Sequence, residues 1–120
     1  MDNAKTKIAI ISHSLGNGGA ERFAGELSFI LNGLDYEPHL IIVNDEVDYP
    51  FSGKLYNLGQ LCQANSGILK KIRKGFLLRN YLQSENIDII IDNRTRNNLV
   101  REYFTSMIYG KRKVYFIIHS

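Results

Sequence analysis

The chain carries a single cysteine, Cys62, in 120 residues. No internal disulfide can form, and a cytoplasmic location is the expectation. Long apolar runs are lacking too. The first, Ile8-Ala9-Ile10-Ile11, is interrupted by Ser12 and His13 and is too short for a secretory signal, and no other run approaches membrane-spanning length. Metal-ligand patterns are missing, because the three histidines stand far apart and no Cys/His spacing fits a site. No metal and no other cofactor is expected. The net charge of +3 is a small excess, gathered mainly in one stretch without interleaved stacking aromatics, which argues against nucleic acid as a partner. Repeats, low-complexity tracts and linkers are absent as well. What remains is 44% apolar residues in a length that suits one domain around one core.

The most informative stretch follows the first strand: Gly16-Asn17-Gly18-Gly19-Ala20-Glu21-Arg22-Phe23. Ile8 to Ile11 is short, apolar and rich in β-branched residues, as a strand buried on both faces should be. From Ala20 onward, Phe23, Ala24, Leu27, Ile30 and Leu31 recur at helical spacing. Gly16, Gly18 and Gly19 remove side chains that would keep a ligand from the backbone, and the helix that follows points unsatisfied N–H groups into the gap. This makes the turn a candidate anion site. Tight helix–strand packing selects the same glycines, and the residues leave both readings open. Two common nucleotide loops do not fit. A dinucleotide fingerprint needs a small residue where Glu21 stands, and a Walker loop needs lysine and Ser or Thr where Ala20-Glu21 stands.

Further strands are expected at Leu40–Val43, at Lys54–Leu58 as an edge strand, at Ile87–Asp92 and at Val114–Ile118, with a turn at Asp35 to Pro38. Helical patterns cover roughly 20 to 31, 67 to 84 and 96 to 109, and residues 45 to 53 and 59 to 66 read as loops. The order β-α-β-β-α-β-α-β predicts a Rossmann-like, doubly wound α/β fold. Its mostly parallel sheet has about five strands in the order 3-2-1-4-5, with helices on both faces. Ligands then belong in the crevice between strands one and four at their carboxyl ends. Strand one delivers Ser12, His13 and the glycine turn to that edge, strand four delivers Asp92-Asn93-Arg94-Thr95-Arg96, and strand five delivers His119 and Ser120. Each residue also has a plain structural reading, helix capping for Asp92, Asn93 or Thr95 and a solvated surface charge for Arg94 or Arg96.

The glycine turn with Gly-Gly-Ala-Glu-Arg, together with a histidine closing Val114-Tyr115-Phe116-Ile117-Ile118-His119, resembles the amino-terminal domain of retaining glycosyltransferases of family 4. Those enzymes have the GT-B fold, two Rossmann-like domains facing across a cleft. The resemblance implies that residues 1–120 form the acceptor-side half, that the donor-binding carboxyl-terminal domain is absent, and that this half alone is inactive. It implies transfer of a sugar from a nucleotide-diphosphate sugar to a saccharide or lipid acceptor, as in polysaccharide biosynthesis, with retained configuration and no required metal. By position it makes His119 the catalytic residue and the turn Gly16, Asn17, Gly18 and Gly19 donor-diphosphate and acceptor ligands, to which the convergence of strands one and four at the crevice adds His13, Asn93 and Arg94.

Other classes fit less well. A nicotinamide-dinucleotide domain would use Asp45 or Glu46 as ribose ligand, late for the usual spacing, and Glu21 argues against it. A phosphoacceptor signalling domain needs an acidic cluster after strand one, where this chain has Ser12-His13-Ser14. The basic run Lys70-Lys71-Ile72-Arg73-Lys74-Gly75-Phe76-Leu77-Leu78-Arg79 contains two apolar stripes out of phase. Ile68, Leu69, Ile72 and Phe76 form one; Leu77, Leu78, Tyr81 and Leu82 form the other. Either the helix kinks at Gly75 or apolar groups share the basic surface. The second option brings peripheral contact with the inner face of a membrane as an expectation.

Overall fold

The computed structural model describes residues 5–16, 18–62, 67–93, 110 and 112–116. The element order is β1 (Lys7–Ser12), α1 (Gly19–Gly33), β2 (Glu37–Ile42), β3 (Lys54–Asn57), α2 (Leu58–Leu61), α3 (Gly67–Ser84), β4 (Ile89–Asp92) and β5 (Lys113–Phe116). The five strands form one sheet in the order β3-β2-β1-β4-β5. All four pairings are parallel. The Rossmann-like order expected from the sequence is therefore observed, and α3 has the expected bounds.

Alternation along β1 sorts the core into two halves. Ile8 and Ile10 pack with Leu40, Ile42, Ala24 and Leu31 under α1, whereas Ala9 and Ile11 pack with Ile41, Ile90, Leu78 and Leu82 under α3. Both faces of the central strands are covered, which is why β1 reads as an unbroken apolar run. Register then fixes the edge of interest. Ile11 pairs with Asp92, so the next positions, Ser12 and Asn93, share the α1 face at the carboxyl end of the sheet.

Several boundaries differ from the sequence reading by a residue or more, and at β2, β4 and α2 the reason is local. β2 begins at Glu37, inside the expected turn, because the reversal is completed at Asp35, whose φ of 71° lets Tyr36 N–H reach Leu31 O at 3.0 Å. Pro38 is tolerated in the strand because Glu37 N–H bonds Thr6 O, which turns the Pro38 nitrogen toward β3. That strand pairs only from His39 onward. β4 starts at Ile89 rather than Ile87, since Ile87 N–H closes α3 on Leu82 O at 3.1 Å around Asn86 at φ 55°. Residues 58–61, expected partly as loop, form α2, capped by the Asn57 side chain accepting from Gln60 N–H at 3.0 Å. The helical pattern at 96 to 109 lies outside the described residues.

The amino end of the sheet is taken up by structural ties. Lys7 Nζ donates to Glu85 O at 2.8 Å, and Arg112 donates to Ile87 O at 2.9 Å and to Leu82 O at 3.0 Å, satisfying carbonyls at the end of α3. Beside them, buried His39 bridges Glu37 and Tyr81. The sequence reading assigned His39 no role. Its signal was the Glu37-x-His39 spacing, which puts both side chains on one face of a strand.

Candidate functional site

At the carboxyl end of β1 the chain does not leave the sheet freely; it continues to pair with the segment after β2. Asn44 N–H bonds His13 O at 2.7 Å, Leu15 N–H bonds Glu46 O at 2.8 Å, and Asp48 and Tyr49 N–H groups bond Leu15 O at 2.7 and 2.8 Å. Leu15 and Val47 form a parallel bridge. This zipper lays the acidic segment Asp45-Glu46-Val47-Asp48 against the glycine turn. The sequence placed these residues in a loop without showing where it docks, because backbone pairing between two loops leaves no periodic signature.

The three glycines now separate by role. A Cβ on Gly16 would sit 2.6 Å from Asp48 Oδ2 and 3.1 Å from Glu46 Cγ, so this position is glycine because the acidic segment packs against it. A Cβ on Gly18 would strike Glu21 Oε1. Glu21 stands in the first turn of α1, where a carboxylate is favoured by the helix dipole, and it folds back over the extended Gly18 at the helix start. Among the described residues nothing lies within 4 Å of a Cβ added to Gly19, which is exposed. Of the described glycines in the turn, Gly19 is the one left open to an approaching molecule.

Other candidates are placed as follows. Asn93 is buried, donates from Nδ2 to Ala20 O at 2.7 Å and from its backbone N–H to Ile11 O at 2.8 Å. It ties the end of β4 to the first turn of α1 across the crevice. His13 is half-buried beside the turn. Ser14 Oγ donates to Gly16 O at 3.1 Å, which helps to shape the turn. Ser12 Oγ is buried with no hydrogen-bond partner among the described residues, at the carboxyl end of β1 on the same face as Asn93. Asp45, the candidate ribose ligand, accepts instead from Asn57 Nδ2 at 2.7 Å. Asn17, Arg94, Thr95, Arg96, His119 and Ser120 lie outside the described residues.

The described rim therefore carries the carboxylates Glu21, Glu46 and Asp48, while Arg22 turns to Glu26 at 3.4 Å on the exposed side of α1. Carboxylates are hydrogen-bond acceptors, suited to hydroxyl and amide N–H groups and repelled by phosphate. Among the described residues no group of three or more His, Cys, Asp or Glu is placed to hold a metal ion.

Taken together, the parallel sheet in the order β3-β2-β1-β4-β5 with a polar crevice at its topological switch point defines an α/β protein of the Rossmann-like type. Over 76 residues, 62% of this chain, it is 37% identical to the N-acetylgalactosamine-N,N'-diacetylbacillosaminyl-diphospho-undecaprenol 4-alpha-N-acetylgalactosaminyltransferase of Campylobacter jejuni subsp. jejuni serotype O:2. The similarity relates the chain to a glycosyltransferase at the level of class. The matched segment amounts to 20% of that relative's length. No protein-family model matches the sequence, and no solved structure matches it.

Proposed function

We infer that this chain forms the acceptor-side domain of a retaining glycosyltransferase of the GT-B type, transferring a sugar from a nucleotide-diphosphate sugar to a saccharide or lipid-linked saccharide. The observation that carries the reading is the similarity to the Campylobacter transferase, with the crevice between β1 and β4 as the place where a ligand belongs. That relative's name describes an acceptor whose saccharide is joined through a diphosphate to undecaprenol. An acceptor of the same kind presents hydroxyl and N-acetyl groups, which match the acceptor oxygens of Glu21, Glu46 and Asp48 and the open backbone at Gly19. The donor diphosphate needs cations instead. Arg94 is the residue of this chain proposed to meet it, and in this reading a donor-binding domain supplies the others. Transfer then rests on holding the leaving diphosphate in a positive pocket and aligning the acceptor hydroxyl with the sugar.

The test is an assay of the full-length protein with nucleotide-diphosphate N-acetylhexosamines and lipid-diphosphate-linked saccharide acceptors, read by mass of the product. Gly19→Val fills the open approach without striking any described atom, so kcat/KM for the acceptor is expected to fall by about tenfold or more with little change in melting temperature. His119→Ala is expected to lower turnover by about tenfold or more while stability is kept. Unchanged kinetics in Gly19→Val would remove the turn from the ligand site, and unchanged turnover in His119→Ala would remove that histidine from the reaction centre.

A further inference from the structure

α1 buries one side and leaves the other apolar. Its buried residues are Ala24, Gly25, Ser28 and Leu31, and the side turned away from them carries large apolar groups where a solvated helix carries polar ones. Phe29, Ile30 and Leu34 are 49%, 56% and 63% exposed, and Leu27 is half-buried beside them. Gly33 stands among them, exposed and with no other described atom within 4 Å of an added Cβ, so a second helix can come close to the backbone there. Three large apolar side chains around such a gap form a patch of the kind that marks an interaction surface.

The charges on α1 identify what covers the patch. Arg22, the one basic residue of this helix, stands in the first turn, where the helix dipole disfavours a cation, and the last turn carries no basic residue. Its ion pair with Glu26 at 3.4 Å is exposed and has the less favourable order, cation before anion. A second copy of α1 laid antiparallel corrects both ends at once. Each Arg22 then comes to the level of the other copy's last turn and of Asp35 behind it, and the two dipoles oppose each other. A parallel copy would set Glu26 against Glu26. Other occupants fit less well, since Glu21, Glu26 and Asp35 outnumber Arg22 and repel an anionic surface. The basic outer side of α3, where Ile72 and Phe76 are exposed, has the opposite sign, but α1 against α3 is a head-to-tail contact that grows into a ring or a filament.

We propose that two copies of this chain associate through α1, antiparallel about a two-fold axis near Leu27 to Ile30. Phe29, Ile30 and Leu34 are buried between them, and Arg22 of each copy lies at the carboxyl end of the other's helix. A single helix face falls short of the roughly 800 Å² per partner of a standard interface, so the dimer is of the weak, reversible class. The amino ends of the two helices point in opposite directions, which leaves both crevices open. The inference rests on α1 alone, and its failure would leave the transferase reading standing.

The experiment is sedimentation velocity of the full-length protein from low micromolar to near-millimolar concentration. A reversible monomer–dimer equilibrium is expected. Ile30→Glu, at a solvent-facing position, is expected to weaken the dimer by about a hundredfold or more with an unchanged circular dichroism spectrum, and Arg22→Glu by about tenfold. Mild oxidation reads the orientation, because Cys62 is buried and does not compete. Ile30→Cys, close to the axis, is expected to cross-link with itself, whereas Leu34→Cys, which lies about 12 Å or more from its counterpart in an antiparallel pair, is not. Protein that stays monomeric at every concentration would overturn the proposal, as would a dimer indifferent to Ile30→Glu. Self-cross-linking of Leu34→Cys would overturn the antiparallel arrangement, and assembly into a ladder of higher oligomers would show a head-to-tail contact in its place.

Discussion

Gly59→Val is expected to lower the free energy of unfolding by about 4 kcal/mol or more. Gly59 sits in the first turn of α2, directly under the segment that follows β2. A Cβ there would overlap Asp45 N and lie 2.7 Å from Asn44 C and 2.8 Å from Asn44 Cα. All three are backbone atoms, so no rotamer change relieves the clash. The segment cannot move freely either. It is zipped to β1 by Asn44 N–H on His13 O and Leu15 N–H on Glu46 O, and Asp45 Oδ1 holds Asn57, whose side chain caps α2. Valine must therefore break either the cap or the zipper. Breaking the zipper also moves Glu46 and Asp48 away from the glycine turn, so under the proposed function acceptor binding should weaken even in molecules that stay folded. Urea titration gives the stability change, and a variant within about 1 kcal/mol of wild type would show that the segment is not held as described.

His39→Ala is expected to cost about 3 kcal/mol. His39 is fully buried on the α3 face of β2, with Nε2 at 2.6 Å from Glu37 Oε2 and Nδ1 at 2.7 Å from Tyr81 Oη. Each ring nitrogen therefore has a hydrogen-bond partner, the Glu37 carboxylate at Nε2 and the Tyr81 hydroxyl at Nδ1. The Tyr81 ring meets His39 edge-on at 5.7 Å and stacks on Tyr56 at 4.2 Å, so the imidazole is one layer of an aromatic pile between α3 and the sheet. Removing it leaves a cavity and two polar groups without their partner.

The same cluster sets a pH dependence whose sign follows from two groups. The hydrogen bond from His39 holds the Glu37 carboxyl below its ordinary value of 4.5, so its stabilising contribution is present above that value and is lost as pH falls through the lower, folded one. Burial pushes the Tyr81 hydroxyl up to about 12, so its contribution is present below pH 10 and is lost as pH rises toward 12. Stability measured against pH should therefore drop at both ends. His39→Ala should flatten the acid limb, because the group that depresses Glu37 is gone. An acid limb of unchanged slope would place the carboxylate's stabilisation elsewhere.

Local periodicity carried much of this molecule. The apolar run at Ile8 to Ile11, the spacing of three and four from Ala20, and the bounds of α3 depend on residues close in sequence, and the alternation of strands and helices with right-handed crossovers leaves few strand orders to choose from. The position of the crevice followed, since the carboxyl ends of β1 and β4 meet wherever the order 3-2-1-4-5 is adopted. Tertiary contact decided what periodicity could not reach. Two stripes of α3 were equally apolar, and only the sheet beneath Leu78 and Leu82 selected one as core and left Ile72 and Phe76 outside. Three glycines looked alike, and only the zipped acidic segment and the folded-back Glu21 gave Gly16 and Gly18 their packing neighbours and left Gly19 open. His39 read as an isolated histidine until register and helix packing brought Glu37 and Tyr81 to its two nitrogens. In each case the deciding atoms are close in space without a repeating offset in sequence, which is why the sequence by itself determined the elements and their order while the fold decided which of their faces and atoms are free to act.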